Sequence, residues 1–379
     1  MSIDARGVPL WDVGPELARP ALVGEVDADV CVVGLGGSGL TCARELRRLG
    51  ARVVGLDAGL VGSGAAGRNG GFLLAGVSRF HHDAVARYGR ARAVALYRLT
   101  LDELDRIDAG APGLVERTGS LRLAESEEEL ADCASQLAAM RADDLPAEWF
   151  DGPEGRGLLF PGDGTFQPLL RCRALAAAAL ADGVRLYERS PVVDIHAGAV
   201  RTTHGTVRSR LVIVAVDGGL ELLLPELAGA VRTARLQMLA TAPTDEICLS
   251  RPVYARWGFD YWQQRPDGAI ALGGARDLAG ESEWTDDATP TAFVQEALER
   301  RLRGGLGVHA PVTHRWAASV GYTPDGLPVI GEVRPGVWAI GGYCGTGNVV
   351  GALLGRGLAR WLVSNDDAIV RPFQAGAPD

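Results

Sequence analysis

Residues 29–59 read DVCVVGLGGSGLTCARELRRLGARVVGLDAG, and the fold is decided there. The run VCVVG is short, apolar and β-branched, the composition of a strand buried on both faces of a parallel sheet. It passes directly into Gly34, Gly36, Gly37, Ser38 and Gly39. The segment LTCARELRRLG that follows has apolar residues at helical spacing and stops at Gly50. A second strand, RVVGLD, ends in Asp57, 18 residues beyond Gly39. Strand, glycine turn, helix, strand and terminal carboxylate, in that order, form the opening βαβ unit of a dinucleotide-binding fold. Gly34 permits the tight turn, Gly36 lets the backbone approach a pyrophosphate, and Gly39 allows helix and strand to pack closely. The helix start offers N–H groups and a positive dipole end to phosphates. Asp57 is placed to accept hydrogen bonds from a ribose diol. Its charge would repel the 2′-phosphate of NADP, which leaves NAD and FAD.

The whole chain bounds the reading further. At 379 residues it is long for one hydrophobic core, so two domains are expected. Its apolar fraction of 47% and charged fraction of 22% are those of an ordinary globular protein. A net charge of −9 argues against nucleic acid as a partner. The opening MSIDARGVPLWDVG has no basic start followed by an apolar core, so no signal peptide is expected, and no run of about 20 apolar residues predicts a membrane span. Cys31, Cys42, Cys133, Cys172, Cys248 and Cys344 form no CxxC pair or metal-ligand cluster, the usage of reduced thiols in a cytoplasmic protein without a metal. All 38 basic residues are arginine, which forbids any mechanism that needs a lysine.

The segment after Asp57 chooses between the two dinucleotides. A simple NAD dehydrogenase would continue with alternating strands and helices. This chain enters AGLVGSGAAGRNGGFLLAG, small residues that let backbone N–H groups approach a bulky planar ligand. DAGLVGSGAAGRNGG resembles the second fingerprint of the FAD-dependent amine and amino-acid oxidoreductases, the D-amino-acid oxidase superfamily. RWAASVGYTPDGLPVIGEVRPGVWAIGGYCGTGNVVGALLGRGLARWLV resembles the family's closing segment, and FPGDGTFQPLLRCRALAAAALADGVRLYERSPVVDI with LVIVAVDGG resembles its central one. The GAAGRNGG form is most similar to the gamma-glutamylputrescine-oxidase-like branch, beside glycine and sarcosine oxidases.

That resemblance implies an α/β chain. A Rossmann-like FAD domain of glutathione-reductase type would be discontinuous over 1–76, 157–222 and 316–379. A sheet-containing α+β substrate domain would use 77–156 and 223–315. FAD would place its pyrophosphate on residues 34–39 and its ribose on Asp57, next to Ala58 and Ser63. Its ring would lie near Arg68, Asn69, Gly70 and Gly71, and its adenine on the backbone of Val192. The loop Tyr343, Cys344, Gly345, Thr346, Gly347 and Asn348 would reach the pyrimidine end, where helix-start amides can stabilise charge on the reduced flavin. Residues 77–156 read as helical, and Ser126 with Glu129 makes a capping-box pattern that leaves Glu127–Glu129 as a solvated first turn. In 223–315, VRTARLQMLATAP and DYWQQRPDGAIALGG read as strands, the second folded at Pro266-Asp267-Gly268. They would form the sheet that roofs the flavin, with substrate in between.

The implied chemistry is oxidation of a C–N bond, which needs a positioned neutral amine more than a general base. No catalytic residue is therefore assigned, and His81 and His82 are read as packing or surface groups. Arg256, Tyr261, Trp262, Arg276 and Tyr343 are the candidate pocket residues. The family's amino-acid branch carries W-x-G-x-R-P-x-T, whose arginine clamps a carboxylate. Here the match runs from Trp316 to Thr323 with Val320 in the arginine's place. Val349 stands where sarcosine oxidases carry a lysine, and no cysteine lies between Cys248 and Cys344 for a covalent flavin. The expectation is non-covalent FAD and an amine substrate without an α-carboxylate clamp, with oxygen or another acceptor taking the electrons. Amino-acid oxidation with transfer to a quinone or partner, a flavin-binding subunit of a larger complex, and an NAD dehydrogenase are the alternatives.

Overall fold

In a computed structural model, residues 7–12, 14 and 18–374 are described; 1–6 and 13, half of the stretch read for a leader, lie outside them. The chain divides into two compact units, 14–67 with 168–233 and 320–379, and 1–13 with 68–167 and 234–319.

The first of these is built on the strand Gly24–Val33. Arg185–Tyr187, Val53–Leu56, Gly24–Val33, Gly205–Val214 and Val337–Gly341 run parallel in that spatial order. Val329–Arg334 closes one edge antiparallel, and the hairpin of Val192–His196 and Ala199–Thr202 joins the first half of Gly205–Val214. Alternation along the central strand explains its composition. Val30 and Val32 enter a core with Leu40, Ala43 and Leu46 of the helix Gly37–Arg48 and Leu358 of the helix Ala352–Ser364. Cys31 and Val33 enter the core on the other face with Val54, Leu56, Val212 and Val214. A strand covered on both faces needs apolar residues at every position, hence the unbroken VCVV. The two helices meet where side chains are small: a Cβ on Gly355 would lie 2.4 Å from the Ser38 carbonyl oxygen.

The other unit holds an eight-stranded sheet ordered Val312–Tyr322, Arg232–Thr241, Ile270–Gly273, Asp260–Gln264, Val253–Ala255, Ser120–Leu123, Gly155–Phe160 and Glu148–Gly152. The join of Val253–Ala255 to Ser120–Leu123 is parallel. The turn expected at Pro266-Asp267-Gly268 closes through the Gly268 N–H on the Arg265 carbonyl at 2.8 Å.

Two expectations for residues 77–156 are corrected. Helices His81–Tyr88, Arg90–Gly110 and Glu127–Ala142 occupy part of the segment, but Ser120–Leu123 and Glu148–Gly152 are sheet strands. Ser120–Leu123 is buried at all four positions and so lacks the polar alternation that marks a half-exposed strand. The acidic turn is also only partly solvated. Ser126 Oγ accepts the Glu129 N–H at 3.1 Å, whereas Glu129 is 4% exposed and accepts the N–H groups of Glu125 at 2.9 Å and Trp257 at 2.7 Å.

Candidate functional site

At the glycine turn, Gly34 takes φ +99° and its N–H donates to the Leu56 carbonyl at 2.8 Å. A Cβ on Gly39 would lie 1.9 Å from the Gly34 oxygen, so the close packing assigned to this position is real. Gly36 precedes the helix in extended conformation and no side chain caps it. The helix start is thus left to a ligand or to solvent. Asp57 holds the turn from the second strand, its two carboxylate oxygens accepting the N–H groups of Leu35 and Gly59, each at 2.8 Å. Burial, opposed by those donors and aided by Glu188, raises its pKa.

Glu188 was not singled out from the sequence. It is 2% exposed and accepts from the Val61 N–H at 2.7 Å, the Arg19 N–H at 2.7 Å and the Arg19 guanidinium at 3.1 Å. It thereby fixes the segment after Asp57, where the Ser63 N–H donates to the Leu60 carbonyl at 3.0 Å. Its only sequence signal is a carboxylate just past a short strand. Ala58 lies between Asp57 and Gly59, which are bridged by the Gly59 N–H on the Asp57 carboxylate, and Val192 opens its strand opposite Thr202 beside a bulge.

In the other unit, residues 68–71 are held by their carbonyls. Trp316 Nε1 donates to Arg68 O at 2.7 Å, Trp11 Nε1 to Asn69 O at 2.6 Å, and the Gln263 amide to Gly70 O. The Asn69 side chain accepts the Gly71 N–H at 2.8 Å. The Arg68 guanidinium donates to the carbonyls of Ala317 at 2.8 Å and Gly7 at 2.9 Å. Its charge therefore goes into bracing the loop.

Alternation separates the pocket candidates. Tyr261 shares a sheet face with Gln263 and meets the loop: a Cβ on Gly70 would lie 3.2 Å from its ring, and Phe72 packs edge-on at 6.0 Å. Trp262 faces the opposite way and is 3% exposed in the core, with the Arg301 guanidinium 4.9 Å over its ring. Arg256 pairs with Asp260 at 3.0 Å and with Asp277. Arg276 lies 5.0 Å over Trp284 and 5.8 Å over Phe259. His81 Nε2 is 2.6 Å from buried Asp143, and His82 Nε2 is 3.0 Å from Asp132.

Back in the glycine-turn unit, the closing loop hangs from Asp217, another residue the sequence did not single out. Its carboxylate accepts the N–H groups of Tyr343 at 2.9 Å, Gly321 and Gly342, and burial pushes its pKa up to about 6 despite those donors. Cys344 takes φ +53° and Gly345 φ +89°, and the Thr346 hydroxyl donates back to the Tyr343 carbonyl at 2.7 Å. A wide π-type turn, Gly347–Gly351, carrying Asn348, leads into the helix Ala352–Ser364. Tyr343 is 4% exposed, and its hydroxyl donates to Ser38 Oγ at 2.7 Å. Val320 and Val349 are 8% and 1% exposed.

An uncapped helix after a glycine turn with no room for a Cβ at Gly34 or Gly39, and with a carboxylate at the next strand end, fits a dinucleotide without a 2′-phosphate. The sequence profile of the family described as FAD dependent oxidoreductase matches residues 29–361. The chain belongs to that family, and its cofactor is FAD. It is 28% identical to the gamma-glutamylputrescine oxidoreductase of Escherichia coli strain K12, over 89% of this chain and 84% of that one. It is 27% identical to the glycine oxidase of Geobacillus kaustophilus, over 91% of this chain and 96% of the other. The crystal structure of glycine oxidase from that organism has the same fold, with a TM-score of 0.74 at 22% identity, covering 90% of this chain and 95% of that one. Among the described residues no helix is long and apolar enough to cross a membrane, and no cluster of three His, Cys, Asp or Glu could hold a metal ion.

Proposed function

We propose that the protein oxidises a C–N bond of a primary or secondary amine that lacks an α-carboxylate, using non-covalent FAD. The observation that carries the substrate class is the chemistry at two positions. Val320 and Val349 are buried valines where the family resemblance puts an arginine and a lysine that bind substrate carboxylate. A buried apolar pair offers nothing to a carboxylate and would leave it desolvated and unpaired. A relative that acts on gamma-glutamylputrescine supports an amine with a remote polar group.

Bound FAD supplies the hydride acceptor at flavin N5. The remaining work falls to this chain. The glycine turn and the uncapped helix hold the pyrophosphate, and Asp57, fixed by two N–H donors, accepts from the ribose. Trp11, Trp316 and Gln263 hold the carbonyls of residues 68–70 so that this loop keeps one shape against the ring. Tyr261 stands on the sheet face that meets Gly70 and is the pocket residue best placed to orient an amine. Arg256 and Arg276 are engaged by carboxylates and aromatic rings and act as walls.

The test is flavin bleaching without oxygen across a panel of amines and amino acids. Primary and secondary amines without an α-carboxylate should bleach the flavin at least about tenfold faster than glycine, sarcosine or D-alanine. Equal or faster bleaching by the amino acids would overturn the substrate class. Readmission of oxygen to the reduced protein separates an oxidase, reoxidised quickly, from a dehydrogenase that needs a quinone or protein acceptor.

A further inference from the structure

Tyr343 is fixed at both ends. Its backbone N–H is held by Asp217, and its hydroxyl donates to Ser38 Oγ in the first turn of the helix Gly37–Arg48. The ring between these ends is packed against glycines: a Cβ would lie 3.0 Å from it on Gly347 and 3.4 Å from it on Gly351. The turn beyond folds back onto the same residue, both the N–H and the hydroxyl of Thr346 donating to the Tyr343 carbonyl, at 3.0 and 2.7 Å. Any shift of Tyr343 therefore moves residues 344–348 with it.

We infer that Tyr343 is a positioning residue that couples the two ends of the cofactor site. A pyrophosphate seated on the glycine turn fixes Ser38, and the Tyr343 hydroxyl passes that constraint to the loop 344–348 assigned to the flavin's pyrimidine end. The inference rests on the cofactor placement proposed above. Asp217 anchors the near side of the loop in either case, so the hydroxyl contact adds order to a loop that is already folded. In a buried site an unpaired Ser or Tyr hydroxyl is costly, which makes the contact hold or break as a unit.

ADP is the probe, because it carries the adenosine and pyrophosphate without the flavin ring. In the apoprotein, ADP should slow amide hydrogen exchange at both 35–39 and 344–348. With Tyr343→Phe, or with Ser38→Ala, it should still slow exchange at 35–39 but no longer at 344–348. FAD affinity should fall about three- to tenfold in each single variant and no further in the double variant. Ser38→Ala removes one buried oxygen from the first turn of the helix and carries the test if Tyr343→Phe does not fold. Undiminished protection of 344–348 by ADP in the variants overturns the coupling. Absence of ADP protection at 35–39 in the wild type overturns the cofactor placement itself, and the coupling with it.

Discussion

Asp163 is the buried carboxylate whose titration can be read most directly. It is 3% exposed, accepting the Ser120 hydroxyl at 2.6 Å and the Ala75 N–H at 2.9 Å, and the charge of Arg117 opposes its burial without an ion pair among the described residues. Burial pushes its pKa from 3.8 up to about 7. A raised carboxylate pKa means that the folded state binds the proton more tightly than the unfolded state between those two values. This group's contribution to stability therefore falls as pH rises through that window and levels off above it. At about 1.4 kcal/mol per pKa unit, the swing is a few kcal/mol at most. Asp163→Asn removes the charge and keeps both contacts, since its oxygen can still accept from Ala75 while its amide donates to Ser120, whose hydroxyl turns to accept. Thermal melts from pH 5 to 8 should show the variant at least as stable as wild type at pH 8, with a flatter pH dependence. A variant less stable than wild type at pH 8 would sink this account.

At the scale of elements, the glycine turn makes the sharpest demand. Gly39→Ala would set a Cβ 1.9 Å from the Gly34 oxygen, and neither backbone can yield without parting helix and strand. A loss of about 3 kcal/mol or more is expected, with FAD lost on purification, measured by denaturant melts and the flavin absorbance of the eluted protein. Gly64→Ala, whose Cβ would meet nothing within 4 Å, is the control and should stay within about 0.5 kcal/mol. The same element explains what could be read in advance. The turn, its helix and Asp57 lie within 31 consecutive residues, so spacing alone carries the geometry. Glu129 marks where such local reading stops. Its capping pattern with Ser126 was legible, but its burial depends on Trp257, 128 positions away, and no window of sequence contains both. Glu188 and Asp217 escaped for the same reason, since each gathers N–H groups from segments far apart in the chain.

For the molecule as a whole, the fold class was legible because the diagnostic segments are local, whereas the pairing of Ser120–Leu123 with Val253–Ala255 was not. The state of the flavin is a property of the entire cysteine inventory, and it follows from where those thiols lie. Cys31, Cys42, Cys133 and Cys172 are buried, and burial, opposed by Arg171 and aided by Asp57, pushes Cys172 up to about 11. A thiol held protonated in a core is no nucleophile. Cys344 is half-buried with its sulfur accepting the Thr323 N–H at 3.2 Å, and burial raises its pKa as well. Cys248 is exposed, between the strands Arg232–Thr241 and Val253–Ala255, outside the loops assigned to the ring. None is both nucleophilic and in a segment assigned to FAD, so the flavin should be held by non-covalent contacts alone. Precipitating the yellow protein with acid should leave all flavin absorbance in the supernatant and a colourless pellet, with no fluorescent band on a denaturing gel. Flavin retained in the pellet would overturn this. Loss of that retention in Cys344→Ser would then place the bond on the closing loop, and make Cys344 a nucleophile despite its raised pKa.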